Sequence, residues 1–283
     1  MAAFQTPKER SNSMKVKDLR SRFGFHSTPF TREITVEHRL SLPIFDEPLV
    51  ALQRVIGQRM SAALIAPAGT GKTTLLRALR AQLPEARYRI HYVKVTGLSK
   101  RDMCREIATA VGTRPAGTYP TLVRRIQDHF TAVADTDGLR PVLFVDEGHE
   151  MRPEVLAMLR LLTNFEMDSR LVVSIVLAGQ PGLRTMLRRD DLEDIARRLA
   201  HYATLRPLSR AETQSYIEHR CTIAGAKTVP FDDAARDAVY EIGRGNLRAT
   251  DRLGLKALEL ANDESVSVVS ANHLVAARKV LWP

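Results

Sequence analysis

A chain of 283 residues, 44% of them hydrophobic, is long enough to bury one large α/β domain and a small appended one. No run approaches the ~20 apolar residues that cross a bilayer, and Met1 to Lys17 is too polar for a secretory signal. The only cysteines, Cys104 and Cys221, build no disulfide framework, so the expectation is a cytoplasmic protein away from the membrane. A net charge of +10 and a pI near 9.9 favour polyanionic partners, because each Lys or Arg that meets a phosphate releases a counterion.

Residues 1–40 read as a basic extension with four apolar anchors, Phe23, Phe25, Pro29 and Phe30, whose rings are expected to pack on the domain that follows. Leu49, Leu52, Val55 and Ile56 recur at helical spacing and predict a helix over Phe45 to Arg59. Ala62 to Ile65 is a short buried strand that runs into a glycine-containing loop. Thr73 to Leu83 reads as a helix stopped near Pro84, and Tyr88 to Thr96 as a strand. Ser99 caps a helix reaching Val111, a Gly/Pro/Thr-rich loop covers Gly112 to Pro120, and Leu122 to Val133 is helical. Strands at Val142 to Val145 and Leu171 to Leu177 flank a helix that Pro153 opens and Leu162 ends. This alternation predicts a parallel sheet with helices on both faces. Beyond about Arg206 only helices are expected, at Ser209 to Ile223, Asp232 to Ile242, Leu247 to Ala261 and Ala271 to Val280. The expected organisation is an extension (1–40), an α/β core (41–205) and a helical lid (206–283).

The loop Ala66-Pro67-Ala68-Gly69-Thr70-Gly71-Lys72-Thr73-Thr74 follows a buried strand and opens a helix. Small residues let backbone N–H groups curl round phosphates, and the helix N-terminus adds a favourable dipole. In this Walker A pattern Lys72 reaches the β- and γ-phosphates of ATP, and the Thr73 hydroxyl ligates Mg²⁺. The first position is usually Gly and here is Ala66. Val142 to Val145 delivers Asp146 and Glu147 to a sheet edge, where Asp146 can hold Mg²⁺ through water and Glu147 can polarise the attacking water. His149 and Glu150 read as facing solvent or a neighbour rather than a metal. A third apolar strand ends in Gln180, placed to sense the γ-phosphate.

A P-loop, a strand ending in Asp-Glu, a strand ending in a polar sensor and a helical lid together resemble the AAA+ ATPases. From Phe23 onward the chain is similar to their ExeA-like group. The resemblance is carried by Gly-Phe-His-Ser-Thr-Pro-Phe (24–30), Asp-Glu-Gly-His-Glu-Met (146–151), Leu-Arg-Leu-Leu-Thr-Asn-Phe-Glu (159–166) and Leu-Ala-Gly-Gln-Pro-Gly-Leu (177–183). It implies an arginine finger for a neighbouring subunit at Arg198, with Arg197 as the alternative, and a sensor arginine at Arg248. The group holds secretion-pathway ATPases and DNA-transposition helpers of the TniB, TnsC and MuB type. A chain ending after the lid, without a span and with a basic extension, leans towards the helpers, which oligomerise as rings or filaments on duplex DNA and recruit a transposase. Their DNA-facing loop corresponds to Lys94, Lys100, Arg101 and Arg105, with Thr121 a weaker member and Arg124 and Arg125 extending the patch. The alternative is a secretion-type ATPase, or a nucleotide-switched scaffold, that binds no DNA.

Overall fold

In the computed structural model, residues 19–282 are described. The three central strands are apolar segments buried almost throughout, as in other parallel sheets, and the two edge strands are only partly buried. The strands are β1 (Ser61–Ile65), β2 (Tyr88–Lys94), β3 (Arg140–Asp146), β4 (Ser174–Gly179) and β5 (Leu199–Thr204). All pairings are parallel, in the order β2-β3-β4-β1-β5. The helices of this unit are α1 (Pro43–Gly57), α2 (Lys72–Gln82), α3 (Lys100–Ala110), α4 (Tyr119–Asp135), α5 (Pro153–Leu162), α6 (Pro181–Leu187) and the single turn α7 (Glu193–Ala196).

Strand alternation sorts the core into two layers. Ala63, Ile65, Leu143, Val145, Ile175 and Leu177 meet Met103, Ile107, Ile126, Phe130, Leu156 and Leu159 from α3, α4 and α5. Ala62, Leu64, Phe144 and Val176 point the other way and are equally buried, on the face where α1 packs against β1, β5 and α2. Cys104 lies in the first layer with its Sγ 3.7 Å from the Met158 sulfur, and burial pushes its thiol up to about 12. Cys221 is free and buried in the helical unit.

Two details differ from the expectation. The third apolar strand begins at Ser174 rather than Leu171, with Leu171 exposed and Val172 and Val173 buried but unpaired before it. The strand β5, which pairs with β1, was not expected. It is an edge strand whose His201, Tyr202 and Thr204 face partly outward, so it lacks the apolar run that marks the central strands.

The second compact unit joins residues 19–42 to residues 207–282. Its helices are α8 (Arg210–Ile223), α9 (Asp233–Gly243), α10 (Leu247–Asp263) and α11 (Ala271–Leu281). Ser209 closes a capping box with Glu212 at the start of α8, and Asp232 and Asn246 cap α9 and α10 through their side chains. The apolar extension residues belong here and not to the α/β core. Leu19, Phe23, Phe25 and Phe30 are buried with Ile217, Phe231, Leu253, Leu258 and Leu274. The His26 and Ser27 N–H groups donate to the Ala224 carbonyl at 2.7 and 3.2 Å. A Cβ on Gly225 would lie 2.3 Å from the His26 ring, and one on Gly254 would lie 3.0 Å from Phe30. The Gly-Phe-His-Ser-Thr-Pro-Phe stretch is therefore a strap on the helical unit. Residues 1–18 of the expected extension lie outside the described residues.

Among the described residues no helix is long and apolar enough to cross a membrane.

Candidate nucleotide site

The carboxyl ends of β1, β4 and β3 converge, with β4 between the other two. Ligands of open parallel sheets bind at this edge. The Ala66 N–H donates to the Gly179 carbonyl at 2.9 Å, tying the exit of β1 to that of β4. The loop that follows turns through left-handed glycines, Gly69 at φ 77 and Gly71 at φ 96. Thr70 is buried and its hydroxyl donates to the Pro67 carbonyl at 2.8 Å, closing the loop on itself. Gly71 precedes α2 and brings no side-chain cap, so the first N–H groups of the helix, at Lys72, Thr73 and Thr74, have no intrahelical acceptor. Thr73 is exposed. A loop of open N–H groups, a cation and a free hydroxyl fits a polyphosphate with its divalent ion.

Lys72 is only 7% exposed, and its ammonium contacts Asp146 Oδ1 and lies 3.2 Å from Glu147 Oε1. Asp146 is 2% exposed and also accepts from the Glu147 N–H at 2.7 Å and the Tyr92 hydroxyl at 3.2 Å. A carboxylate this deep is tolerable only because four lone-pair directions find three donors, one of them charged. Burial, then the charges of Asp146 and Glu147, pushes the Tyr92 phenol up to about 12, so Tyr92 stays a donor. Tyr92 lies in the strand expected over Tyr88 to Thr96 and belongs to no motif. Its role follows from the β2–β3 register, which sets Lys94 opposite Asp146 and Tyr92 two residues before it.

Glu147 adopts left-handed backbone, φ 57 and ψ 31, a conformation costing a non-glycine residue about 1–2 kcal/mol. Gly148, His149 and Glu150 form a 3₁₀ turn that packs on the end of β4. A Cβ on Gly179 would meet the His149 nitrogen at 3.1 Å and Leu183 at 2.9 Å, so a glycine is needed there. Of the two expected settings for His149, solvent or a neighbour, the structure shows side-chain neighbours. Its side chain is 11% exposed, with Nδ1 3.5 Å from Glu147 Oε2 and Nε2 2.6 Å from the Gln180 amide nitrogen.

The structure thus brings Lys72, Asp146, Glu147, His149 and Gln180 together. It leaves Arg198 and Arg197, the arginines expected to serve as a finger, in another cluster. Arg198 pairs with Asp168 at 2.6 and 2.5 Å, Arg197 with Glu193 at 2.6 Å, and Arg160 with Asp194. Asp168 is presented by a turn in which Glu166, Met167 and Asp168 all have positive φ, with Met167 98% exposed at its tip. In the helical unit Arg248 is exposed in the first turn of α10. Gly245 just before it is at φ 70, where a Cβ would lie 1.9 Å from the Leu208 carbonyl oxygen.

The predicted DNA patch is partly committed to structure. Arg101 Nε donates to the Gly117 carbonyl and Arg105 Nε to the Pro115 carbonyl, both at 3.2 Å. Arg125 Nη1 donates to the carbonyls of Arg114 and Ala116 at 2.7 and 2.8 Å. These three guanidiniums pin the 112–118 loop. The Thr121 hydroxyl is 2.9 Å from that of Thr118. Lys94 at the end of β2 and Lys100 at the start of α3 are exposed.

The five-stranded order with a phosphate loop after β1 and paired carboxylates after β3 is the fold of the P-loop AAA+ proteins. Residues 54–187 match the AAA domain family. Over 193 residues, 67% of the chain, the sequence is 35% identical to the general secretion pathway protein A of Aeromonas hydrophila, which supports the ExeA-like group. The chain spans about a third of that relative's length, 35%. Solved structures share the fold at low identity. Cdc6p from Pyrobaculum aerophilum superposes with TM-score 0.71 at 16% identity, covering 89% of this chain and 70% of its own. The Aeropyrum pernix ORC1 protein, solved in complex with DNA, gives 0.66 at 18%, covering 89% and 68%. The Thermotoga maritima RuvB branch migration motor gives 0.57 at 20%, covering 84% and 67%.

Proposed function

We propose that this chain is an ATPase of the secretion-pathway, ExeA-like type, which converts ATP and water to ADP and phosphate and uses the cycle to switch its hold on a protein partner. The observation that carries this is the cluster of Lys72, Asp146 and Glu147 beneath an open phosphate loop. The relationship to general secretion pathway protein A supports the choice of branch. Lys72 exchanges its carboxylate partners for the β- and γ-phosphates, and the α2 N–H groups take phosphate oxygens. Thr73 and Asp146 would hold Mg²⁺, which when bound neutralises charge building on the phosphate oxygens. Glu147, freed from Lys72, aligns and polarises the attacking water. Gln180 senses the γ-phosphate from the end of β4. Arg198, or Arg197, completes the site of a neighbouring copy in a homo-oligomer, and Arg248 couples the helical unit to nucleotide. The test is release of ADP and inorganic phosphate from ATP with Mg²⁺, lost in Glu147→Gln while ATP binding is kept. Phosphate transferred to an acceptor other than water would overturn it.

A second reading, a helper that assembles on duplex DNA and recruits a transposase, is favoured by the charge of +10 and the exposed Lys94 and Lys100. Binding to random-sequence duplex across a salt series, with ATP, ADP or neither, separates the two. ATP-dependent binding with a steep salt slope selects the DNA reading; none selects a protein partner alone.

A further inference from the structure

We infer that His149 is a positioning residue that couples Gln180 to Glu147, holding the carboxylate in line once Lys72 has moved to the phosphates. This rests on the ATPase reading above. Each carboxylate oxygen of Glu147 has one partner: Lys72 is 3.2 Å from Oε1, and His149 Nδ1 is 3.5 Å from Oε2. Phosphate binding draws Lys72 away. The imidazole is then the remaining side-chain contact that can aim Glu147, a residue already held in strained left-handed backbone.

With the amide oriented as it stands, the Gln180 nitrogen donates to His149 Nε2 at 2.6 Å, so Nε2 accepts and Nδ1 carries the hydrogen. Nδ1 lies 3.5 Å from Glu147 Oε2. Nδ1 is buried and makes no hydrogen bond at 3.5 Å, a distance that tightening of the site would convert into one. Glu150 Oε1 is 3.3 Å from Nε2, but its side chain is 60% exposed and solvated. The surroundings are shaped for this ring. Gly148 packs on the Ala178 carbonyl and Leu183, and Gly179 leaves the room in which the His149 backbone lies. A shift of the Gln180 amide by the γ-phosphate therefore reaches Glu147 through one rigid ring rather than through water.

The experiment measures steady-state ATP hydrolysis and ADP affinity for the full chain and for His149→Ala, His149→Asn, Gln180→Ala and the double variant His149→Ala/Gln180→Ala. The expected result is a fall in kcat of about 10- to 100-fold for His149→Ala, the scale of a misaligned reacting group, with ADP affinity unchanged. His149→Asn, which keeps a donor, recovers part of the loss. Gln180→Ala added to His149→Ala costs nothing further, since both act through one connection. An unchanged kcat in His149→Ala, or losses that multiply in the double variant, would overturn the coupling. If His149→Ala loses ADP affinity and so its fold, His149→Asn with and without Gln180→Ala is read by the same criteria. A parent protein that binds ATP and releases no phosphate would instead overturn the ATPase reading, and the coupling with it.

Discussion

Arg198 and Asp168 face each other in a bidentate ion pair, Nη1 donating to Oδ1 at 2.6 Å and Nη2 to Oδ2 at 2.5 Å. The Arg198 side chain is 22% exposed and that of Asp168 48%. The pair holds Asp168 below the ordinary carboxylate range through its hydrogen bonds to Arg198, yet it lies open to solvent and salt, where ion pairs contribute little. In the proposed finger role, Arg198 would leave Asp168 for a neighbouring copy's phosphate at small cost. Arg198→Ala should lower ATP turnover by about 10³-fold or more, the scale of a lost arginine finger, with ATP affinity retained. Asp168→Asn should leave turnover at least as fast. Equal turnover in Arg198→Ala would move the role to Arg197, which is tied only to Glu193 on its own short helix.

Lys72→Ala should do two things that Glu147→Gln does not. It removes ATP affinity, and it strands Asp146, 2% exposed, without its cation. Breaking a buried pair from one side costs about 3–5 kcal/mol, so the thermal midpoint of the α/β unit should fall. Asp146→Asn in the same background should recover part of that loss, because an amide needs no counter-charge. Scanning calorimetry of the three variants decides it.

The strap predicts where truncation hurts. Phe30 is 3% exposed, lies edge-on to Phe231 with ring centres 5.9 Å apart, and covers Gly254. Phe30→Ala should destabilise the helical unit by about 3–5 kcal/mol, the range for a buried phenylalanine, and leave the α/β unit unchanged. Hydrogen exchange resolved by segment would show loss of protection across α8 to α11 and none in the helices of the α/β unit.

Asp251 sits inside the helical unit with the Tyr216 hydroxyl on its Oδ1 at 2.9 Å and Arg220 Nε at 3.7 Å. Arg220 in turn donates to the Thr31 carbonyl of the strap at 2.6 Å. Burial pushes the Asp251 carboxyl up to about 6, against the pull of Arg220 and the Tyr216 hydroxyl. The folded state then binds the proton more tightly than the unfolded chain. Its contribution is fully present below about pH 4 and is lost as pH rises through about 6, some 3 kcal/mol in all. Against the parent, Asp251→Asn should grow relatively more stable between pH 4 and 6. A pH-independent difference would show that the carboxyl titrates alike in the folded and unfolded states.

Charge reversal at Lys94 and Lys100 is the cleanest probe of the DNA reading, because Arg101, Arg105 and Arg125 also hold a loop through backbone carbonyls. If duplex DNA binds this face, Lys94→Glu/Lys100→Glu should weaken it and flatten its salt slope by about one or two charges. Loss of affinity only in Arg101→Glu would reflect a disordered loop.

The amino-acid sequence alone determined the local chemistry. The glycines at 69 and 71, the lysine after them and the carboxylates ending Val142-Leu143-Phe144-Val145 carry their meaning in spacing and apolar periodicity, which neighbouring residues set. The helices of the lid were legible for the same reason, since Ser209, Asp232 and Asn246 cap them within four residues. What depended on distant residues was decided by tertiary structure. The insertion of β4 between β1 and β3 sets Gln180 against His149, because parallel pairing brings together residues that the chain separates, Val142 and Ser174 on one side of β4 and Ala62 and Val176 on the other. β5 is half polar and gains strand structure only by pairing with β1. The burial of Phe23, Phe25 and Phe30 in helices more than 180 positions later had no local signature, for an apolar ring in a sequence states that it will be buried and not by what.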